Sequence, residues 1–274
     1  MNADFYKTYF RVFNFIIKIK YKTAVAIGVF DGMHIGHRSV ISSLVKSSYM
    51  PVVFTIDMRN EVAESKNNFS FLSSSSEKFY MLKKLGVKVV LSVPYEDIKN
   101  LDYVQFFEDV LMKKLNAKLI VCGKNLKFGK DNKGDVLKLK LLAKKHSVNV
   151  KVLNLLDVCG EPASSSRARL ALKAGNLSLL NRLLGRNFSI SFKILDFSRC
   201  NNFTIFRNVF GINFTVPRSG LYITRALICG NLYSSFSYVG RFNGLNIIKV
   251  YMHNFFKINI KGECLRLIFL KYLG

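Results

Sequence analysis

Two of the chain's four histidines, His34 and His37, stand three residues apart with Gly36 between them. At the start of a helix, imidazoles with that spacing can both donate hydrogen bonds to one polyphosphate, and the exposed backbone N–H groups and helix dipole add to the attraction. Gly36 has no Cβ, so a nucleotide can lie against the backbone there. The neighbouring residues predict the scaffold this needs. Ala24 to Phe30 is a short apolar run that reads as a buried parallel strand, and Asp31-Gly32 breaks it. Val40, Ile41, Leu44 and Val45 then recur at helical spacing, so a helix begins near Ile35. Strand, tight loop and helix put a ligand at the carboxyl end of a strand, where parallel sheets bind. The bland alternative is a pair of surface histidines. The apolar strand and the Phe30-Asp31-Gly32 turn directly before the pair favour a phosphate site.

Two more stretches carry residue types suited to the same ligand. Gly123-Lys124-Asn125-Leu126-Lys127-Phe128-Gly129-Lys130, followed by Gly134-Asp135, comes straight after an apolar run, Leu119 to Gly123. Asn125 at a strand's end could hydrogen-bond substrate, and Gly129 allows a sharp turn; a plain glycine loop is an equal reading of these residues alone. Further on, Ser164, Ser165 and Ser166 precede Arg167 and Arg169. Hydroxyls at a helix N-terminus with two guanidinium groups one turn in make an anion site, against the alternative of an N-cap with surface arginines.

The elements between these motifs read as alternating strands and helices. Pro51 to Ile56 is a second strand, and Asn60 to Asn68 is polar and reads as a mobile loop. Ser74-Ser75-Ser76-Glu77 forms a capping box for a helix with Phe79, Met81, Leu82 and Leu85 on one face and Gly86 as its stop. Val87 to Val93 is a third strand, Asp102 caps a helix with Val104, Phe107, Val110, Leu111 and Leu115 inward, and Leu119 to Gly123 is a fourth strand. Val136 to His146 is helical and Val148 to Leu155 is a fifth strand. Leu170 to Ala174 and Leu177 to Leu184 are short helices stopped by Gly175 and Gly185. Beyond them the period becomes alternating: Phe203 to Val216, Leu221 to Cys229, Leu232 to Val239, Asn246 to Met252 and Leu265 to Leu270 read as strands closing an antiparallel barrel.

Composition sets the bounds. At 274 residues the chain can hold two ordinary domains. It has no apolar stretch of the roughly 18 residues a membrane span needs. The apolar start, Phe10 to Ile17, lacks a small-residue cleavage site and runs into an edge-strand-like Ile-Lys-Ile-Lys alternation, which reads as a cytoplasmic chain with no membrane partner. The five cysteines are scattered without a Cys-x-x-Cys pair, so neither zinc nor a disulfide framework is expected, and buried reduced thiols are the simple account. A net charge of +25 would attract polyanions, but the lysines are spread along the chain rather than gathered on one arm, which makes nucleic acid an unlikely partner.

Gly28-Val29-Phe30-Asp31-Gly32-Met33-His34-Ile35-Gly36-His37-Arg38 resembles the Gly-x-Phe-Asp-Gly-x-His-x-Gly-His-x signature of bacterial FAD synthetases, two-domain proteins that join an FMN adenylyltransferase to a riboflavin kinase. The second stretch is similar to the family's Gly-x-Asp/Asn-Phe-x-Phe-Gly-x, with Leu126 for the usual aromatic. The third is similar to its Ser-Ser-Thr-x-Ile-Arg, with Ser166 for Thr.

The resemblance implies an α/β fold: a doubly wound parallel-sheet nucleotidyltransferase domain over 1–183 and a small antiparallel β-barrel over 184–274. It implies transfer of AMP from ATP to FMN, with Mg²⁺ accompanying ATP and FAD as product. His34, His37, Asn125 and Arg167 would be catalytic, the histidines binding and neutralising the phosphates. Gly28, Phe30, Asp31, Gly36, Gly123, Phe128, Ser164, Ser165, Ser166 and Arg169 would bind nucleotide, with no metal held by the protein itself.

The chain also departs from the family. Thr55-Ile56-Asp57-Met58 stands where a Pro-His-Pro loop follows the second strand. The kinase motif Pro-Thr-x-Asn is absent at Phe210 to Val216, and Lys249 falls where a catalytic Glu is expected. The barrel is therefore expected to keep its fold and to have lost its chemistry. The other readings are a bifunctional enzyme that also phosphorylates riboflavin, or a related transferase with a different acceptor.

Overall fold

The structure, a computed structural model, describes residues 9–11, 18–58, 70–211, 213–255 and 260–274. Two expectations, the loop at Asn60 to Asn68 and most of the Phe10 to Ile17 run, lie outside the described residues. The chain divides into two compact units, Met1–Asn67 with Lys78–Pro162, and Asn68–Glu77 with Ala163–Gly274.

In the first unit the strands are β1 (Tyr9–Arg11), β2 (Thr23–Gly28), β3 (Met50–Asp57), β4 (Val89–Pro94), β5 (Ala117–Gly123), the short β6 (Lys127–Phe128) and β7 (Gly134–Asp135), β8 (Asn149–Leu153), and the two-residue β9 (Asp157–Val158) and β10 (Glu161–Pro162). Its helices are α1 (Ile35–Val45), α2 (Ser75–Lys84, whose first three residues belong to the second unit), α3 (Tyr103–Gln105) and α4 (Val136–Lys145). The main sheet is wholly parallel with the order β1-β4-β3-β2-β5-β8. From β2 the chain steps outward through β3 to β4, then returns to the other side of β2 for β5 and β8. The order reverses between β2 and β5, and a doubly wound sheet opens its binding crevice at the carboxyl ends of such a pair.

The apolar runs become strands because both faces of the sheet are covered. Along β2, Val25 and Ile27 enter one core with Val52, Phe54, Leu91, Phe107 and Leu111. Ala24 and Ala26 enter the opposite core with Ile41, Leu44, Val53, Leu82 and Val121. That is the two-residue alternation of a strand with no wet side.

Capping follows the sequence. Ser74 Oγ accepts from Glu77 N at 3.2 Å while Glu77 Oε2 accepts from Ser74 N at 3.2 Å. Asp102 makes the reciprocal box with Gln105. The helix after Asp102 differs from expectation in kind: only Tyr103–Gln105 is α-helical, and Phe106–Lys114 is a π-helix, with Phe106, Phe107, Val110 and Leu111 still turned inward. The edge strand near the N-terminus is β1; residues 18–20, part of the Ile-Lys-Ile-Lys alternation, form no strand. The cysteines need correcting too. Cys122 is buried, but Cys159, Cys200, Cys229 and Cys264 are exposed, because they occupy turns and strand ends rather than core positions.

The second unit holds α5 (Ser165–Lys173), α6 (Leu177–Leu184), and strands β11 (Ser189–Lys193), β12 (Phe197–Cys200), β13 (Phe203–Val209), β14 (Gly220–Ile228), β15 (Asn231–Phe242), β16 (Leu245–His253) and β17 (Cys264–Tyr272). They form one antiparallel sheet in the order β11-β17-β14-β15-β16-β13-β12. Inward positions alternate with outward ones: Tyr222, Ala226 and Ile228 on β14 face the core with Val250 and Met252 on β16 and Leu265, Leu267 and Phe269 on β17. The expected barrel is a curled sheet, and no ladder joins its edge strands β11 and β12 among the described residues. The strand expected over Phe203 to Val216 ends at Val209, and two strands before it, β11 and β12, were not anticipated. In the contact division α5 and α6 belong with this sheet, whereas the sequence reading placed them before a boundary at 183.

Gly129 tests the loop geometry of the first unit. Its φ is +71°, and a Cβ there would lie 2.6 Å from Tyr103 N. Gly129→Ala should therefore destabilise the protein by roughly 1–3 kcal/mol, read from urea unfolding. Stability equal to wild type would show that the loop relaxes at no cost.

Candidate functional site

The carboxyl end of β2 leads into the first motif through an unusual backbone. Phe30 (φ +52°) and Met33 (φ +46°) both adopt the left-handed region, with Gly32 (φ +71°) between them in a single 3-10 turn, Asp31–Met33. Only glycine enters that region freely, so two larger residues there mean that the surroundings hold the turn in place. Phe30, Asp31, Gly32 and Met33 are all buried. The Phe30 ring lies over Gly28, where a Cβ would meet it at 3.4 Å.

His34 ends this turn and caps α1. Its Nδ1 accepts the backbone N–H of His37 at a long 3.4 Å, which puts the ring's proton on Nε2. The two imidazoles stack with centroids 3.7 Å apart and planes 25° from parallel, and His37 meets the edge of Phe30 at 5.2 Å. Gly36 has a further role beyond backbone approach: a Cβ there would sit 3.1 Å from Cε1 and Nδ1 of His34, so glycine makes room for the ring itself.

Burial decides the protonation of the pair. The His34 pKa is lowered to about 4 by desolvation. His37 is held well below the ordinary value, first by burial and then by the charges of His34 and Lys78. Both rings are neutral near pH 7, so what they directly offer a phosphate is N–H donors rather than charge. That refines the expectation that they neutralise it. His37 Nδ1 is buried with no hydrogen-bond partner among the described residues, a polar atom that a ligand could satisfy.

Lys78 is the site residue the sequence reading missed. It lies on α2, buried at 9% exposure, and its Nζ donates to Val29 O at 3.0 Å and to Thr55 Oγ1 at 2.9 Å. A signal was present: Lys78 stands four residues before Leu82 and seven before Leu85, on the inward stripe of the helix.

Across the switch point, the end of β5 carries the second motif. Gly123 and Asn125 are close, since a Cβ on Gly123 would lie 2.9 Å from Asn125 Oδ1, and Asn125 is an exposed turn residue. The Phe128 ring is buried in the core against Phe106, with centroids 5.8 Å apart, so it anchors the loop from inside. The first two motifs thus end adjacent parallel strands.

The third motif belongs to the second unit, at the start of α5. Ser164 is the N-cap, its Oγ accepting from Arg167 N at 3.2 Å, and Ser165 and Ser166 form the first turn. Arg169 Nε donates to Ser70 O at 2.7 Å, so part of that guanidinium holds backbone.

The second unit also contains a cavity of about 120 Å³ beside the stretch where the kinase motif was sought, lined by Phe210, Gly211, Phe214 and Thr215 together with Glu77 and Ser191. A backbone bridge covers this stretch: Phe71 N donates to Asn213 O at 2.7 Å and Thr215 N to Phe71 O at 2.8 Å. Burial pushes the Glu77 carboxyl up, opposed by hydrogen bonds from Ser74 and Ser191 and by the charge of Arg266. Lys249 on β16 pairs across the sheet with Arg207 and Tyr238.

The FAD synthetase family model matches residues 16–167, more than half of the chain. The chain belongs to the FAD synthetase family. A bifunctional riboflavin kinase/FMN adenylyltransferase of Buchnera aphidicola (subspecies Schizaphis graminum) is 29% identical over 185 residues, 65% of this chain and 59% of that relative. The protein of the same description from Haemophilus influenzae is 26% identical over 266 residues, 90% of this chain and 84% of that one. Against the Buchnera and Escherichia coli relatives, the matched part spans less than two thirds of their length. A crystal structure titled macrolide-efflux protein from Streptococcus pneumoniae superposes with a TM-score of 0.82 over 97% of this chain and 90% of that one at 22% identity, which shows the fold.

The buried histidines link the site to stability. Unfolded His34 protonates near pH 6.5, whereas the folded residue stays neutral down to about pH 4. The unfolded state therefore takes up the proton first, and stability falls as pH drops from about 6.5 toward 4. His34→Gln should remove on the order of 2 kcal/mol of the stability difference between pH 7.5 and pH 4.5, measured by urea unfolding at both. An unchanged difference would mean that His34 titrates alike in both states.

Proposed function

We propose that the chain is an FMN adenylyltransferase, transferring AMP from ATP to FMN to give FAD and pyrophosphate. The observation that carries this reading is the stacked, neutral His34/His37 pair at the first turn of α1, beside a sheet switch point, in a chain of the FAD synthetase family. A phosphate oxygen of FMN attacks the α-phosphorus of ATP in line. The new P–O bond forms as the bond to the β-phosphate bridging oxygen breaks, and the electron pair leaves with pyrophosphate. The imidazole N–H groups of His34 and His37 hold phosphate oxygens where charge accumulates, and proximity supplies the rest. Phosphate beside the rings raises their pKa values, so they gain positive charge as the ligand binds.

In this reading Asn125, with Gly123, lines the substrate crevice, and Gly28, Phe30, Asp31 and Gly36 shape the turn that carries the histidines. Arg167, with Ser164, Ser165, Ser166 and the remaining donors of Arg169, holds the β- and γ-phosphates. No group of three His, Cys, Asp or Glu side chains among the described residues could hold a metal ion, so Mg²⁺ enters as the companion of ATP's phosphates. The functional division we propose is 1–183 for adenylyl transfer and 184–274 for a riboflavin-kinase-like sheet without kinase activity. The missing Pro-Thr-x-Asn, the Phe71 backbone bridge onto 213–215 and Lys249 support that loss. A cytoplasmic setting is part of the reading, since ATP is the co-substrate.

Chromatography of flavins after incubation with Mg-ATP decides it. FMN should give FAD while riboflavin stays unchanged, and His37→Ala should cut turnover roughly 100-fold or more with the fold intact. FMN appearing from riboflavin would refute the lost kinase, and no FAD from FMN would refute the acceptor.

A further inference from the structure

We infer that Lys78 is a positioning residue of this phosphate site, tying the strand ends beneath the His34/His37 turn and setting a fixed positive charge behind His37 for the nucleotide's phosphates. The inference rests on the adenylyl-transfer reading above. The geometry begins with a triangle at the carboxyl ends of β2 and β3. Lys78 Nζ donates to Val29 O at 3.0 Å and to Thr55 Oγ1 at 2.9 Å, and Thr55 Oγ1 donates to Val29 O at 3.1 Å. Thr55 stands opposite Gly28 in the parallel register, so the triangle joins neighbouring strands where the turn departs. Val29 is followed directly by Phe30, the first left-handed residue, whose ring edge touches His37. The path from the ammonium to the imidazole is therefore one carbonyl, one backbone turn and one ring contact, and the Lys78 charge also acts on His37 directly.

The Thr55 hydroxyl already reaches the Val29 carbonyl, so joining the strands does not by itself require a cation. A buried ammonium is costly to desolvate, and a methionine of similar length would fill the same space more cheaply. The charge becomes favourable when an anion binds nearby, because a buried charge is screened far less than a surface one. A polyphosphate at the first turn of α1 is such an anion.

The test uses Lys78→Met, which keeps the stem and removes the charge, Lys78→Arg, which keeps the charge, and Thr55→Val, which removes one corner of the triangle. For each variant kcat and the KM for ATP are measured per folded molecule, and the His37 imidazole resonances are followed by NMR during ATP titration. Lys78→Met should lose roughly 10- to 100-fold in kcat/KM for ATP, and its His37 signals should need correspondingly more ATP to shift. Lys78→Arg should recover part of the loss, and Thr55→Val should lose less. Wild-type kinetics and wild-type ATP titration in Lys78→Met would overturn the inference, as would a loss that only follows the unfolded fraction and that arginine does not relieve. If Lys78→Met fails to fold, Thr55→Val decides: an unaltered ATP titration there refutes the triangle. A wild-type protein that makes no FAD sinks the acceptor assignment alone, since the ATP titration still reports on Lys78.

Discussion

The turn from Phe30 to Met33 is the constraint on which the first unit's site depends. Left-handed conformation at a non-glycine residue costs on the order of 1–3 kcal/mol and persists only where the surroundings impose it. Here they do so from several directions. β2 is paired on both sides, to β3 and to β5, so the chain enters the turn in a fixed direction. Phe30 and Met33 bury their side chains in the core beneath α1 and α2, and leaving the left-handed region would withdraw them. The α1 N-cap, His34, then fixes the far end. A more relaxed loop would let the imidazoles turn independently. The strained one delivers them stacked, with one ring nitrogen already occupied by backbone, and the energy for that comes from apolar burial around it.

Electrostatics in the site run opposite to what composition invites. A chain of net charge +25 would be expected to meet ATP with cations. Yet its two central side chains are neutral, because the burial that orders them also penalises their charged forms. Neutral donors suit a reaction in which charge moves from one phosphate to the next: they hold oxygens without binding the ground state as tightly as a full ion pair would.

Much of the architecture was legible because it depends on local chemistry. The strand–turn–helix at 24–45, the capping boxes at Ser74 and Asp102, and the helix from Leu177 to Leu184 with its Gly185 stop follow from period, cap and turn residues that sit next to each other in the chain. What escaped the sequence depends on distant partners. The π-helical stretch at Phe106–Lys114 keeps the same apolar residues inward as an α-helix would, so the pattern could not distinguish them. β11 and β12 are short and half-buried, and only their partners β17 and β13 make them strands. Among site residues, the histidine pair announced itself by spacing. Lys78 did not, because a lysine on a helix reads as solvated until Val29 and Thr55 are seen around its ammonium.

The second unit separates fold from chemistry most clearly. Its sheet is specified by alternation, and alternation survives substitution as long as inward positions stay apolar: Tyr222, Ala226, Val250, Leu267 and Phe269 satisfy it whatever the loops contain. Catalytic loops have no such redundancy, since one Thr or Asn cannot be replaced by a residue of similar hydropathy and keep its ligand. At 210–216 the chain has Phe214 and Thr215, whose backbone and hydroxyl are engaged with Ser70 and Phe71. Those contacts stabilise the loop in the same currency as the core, by burial and paired backbone groups. Substitutions there that improve packing are therefore favourable for folding even as they remove the groups a kinase needs, so a sheet can become better sealed while its chemistry disappears.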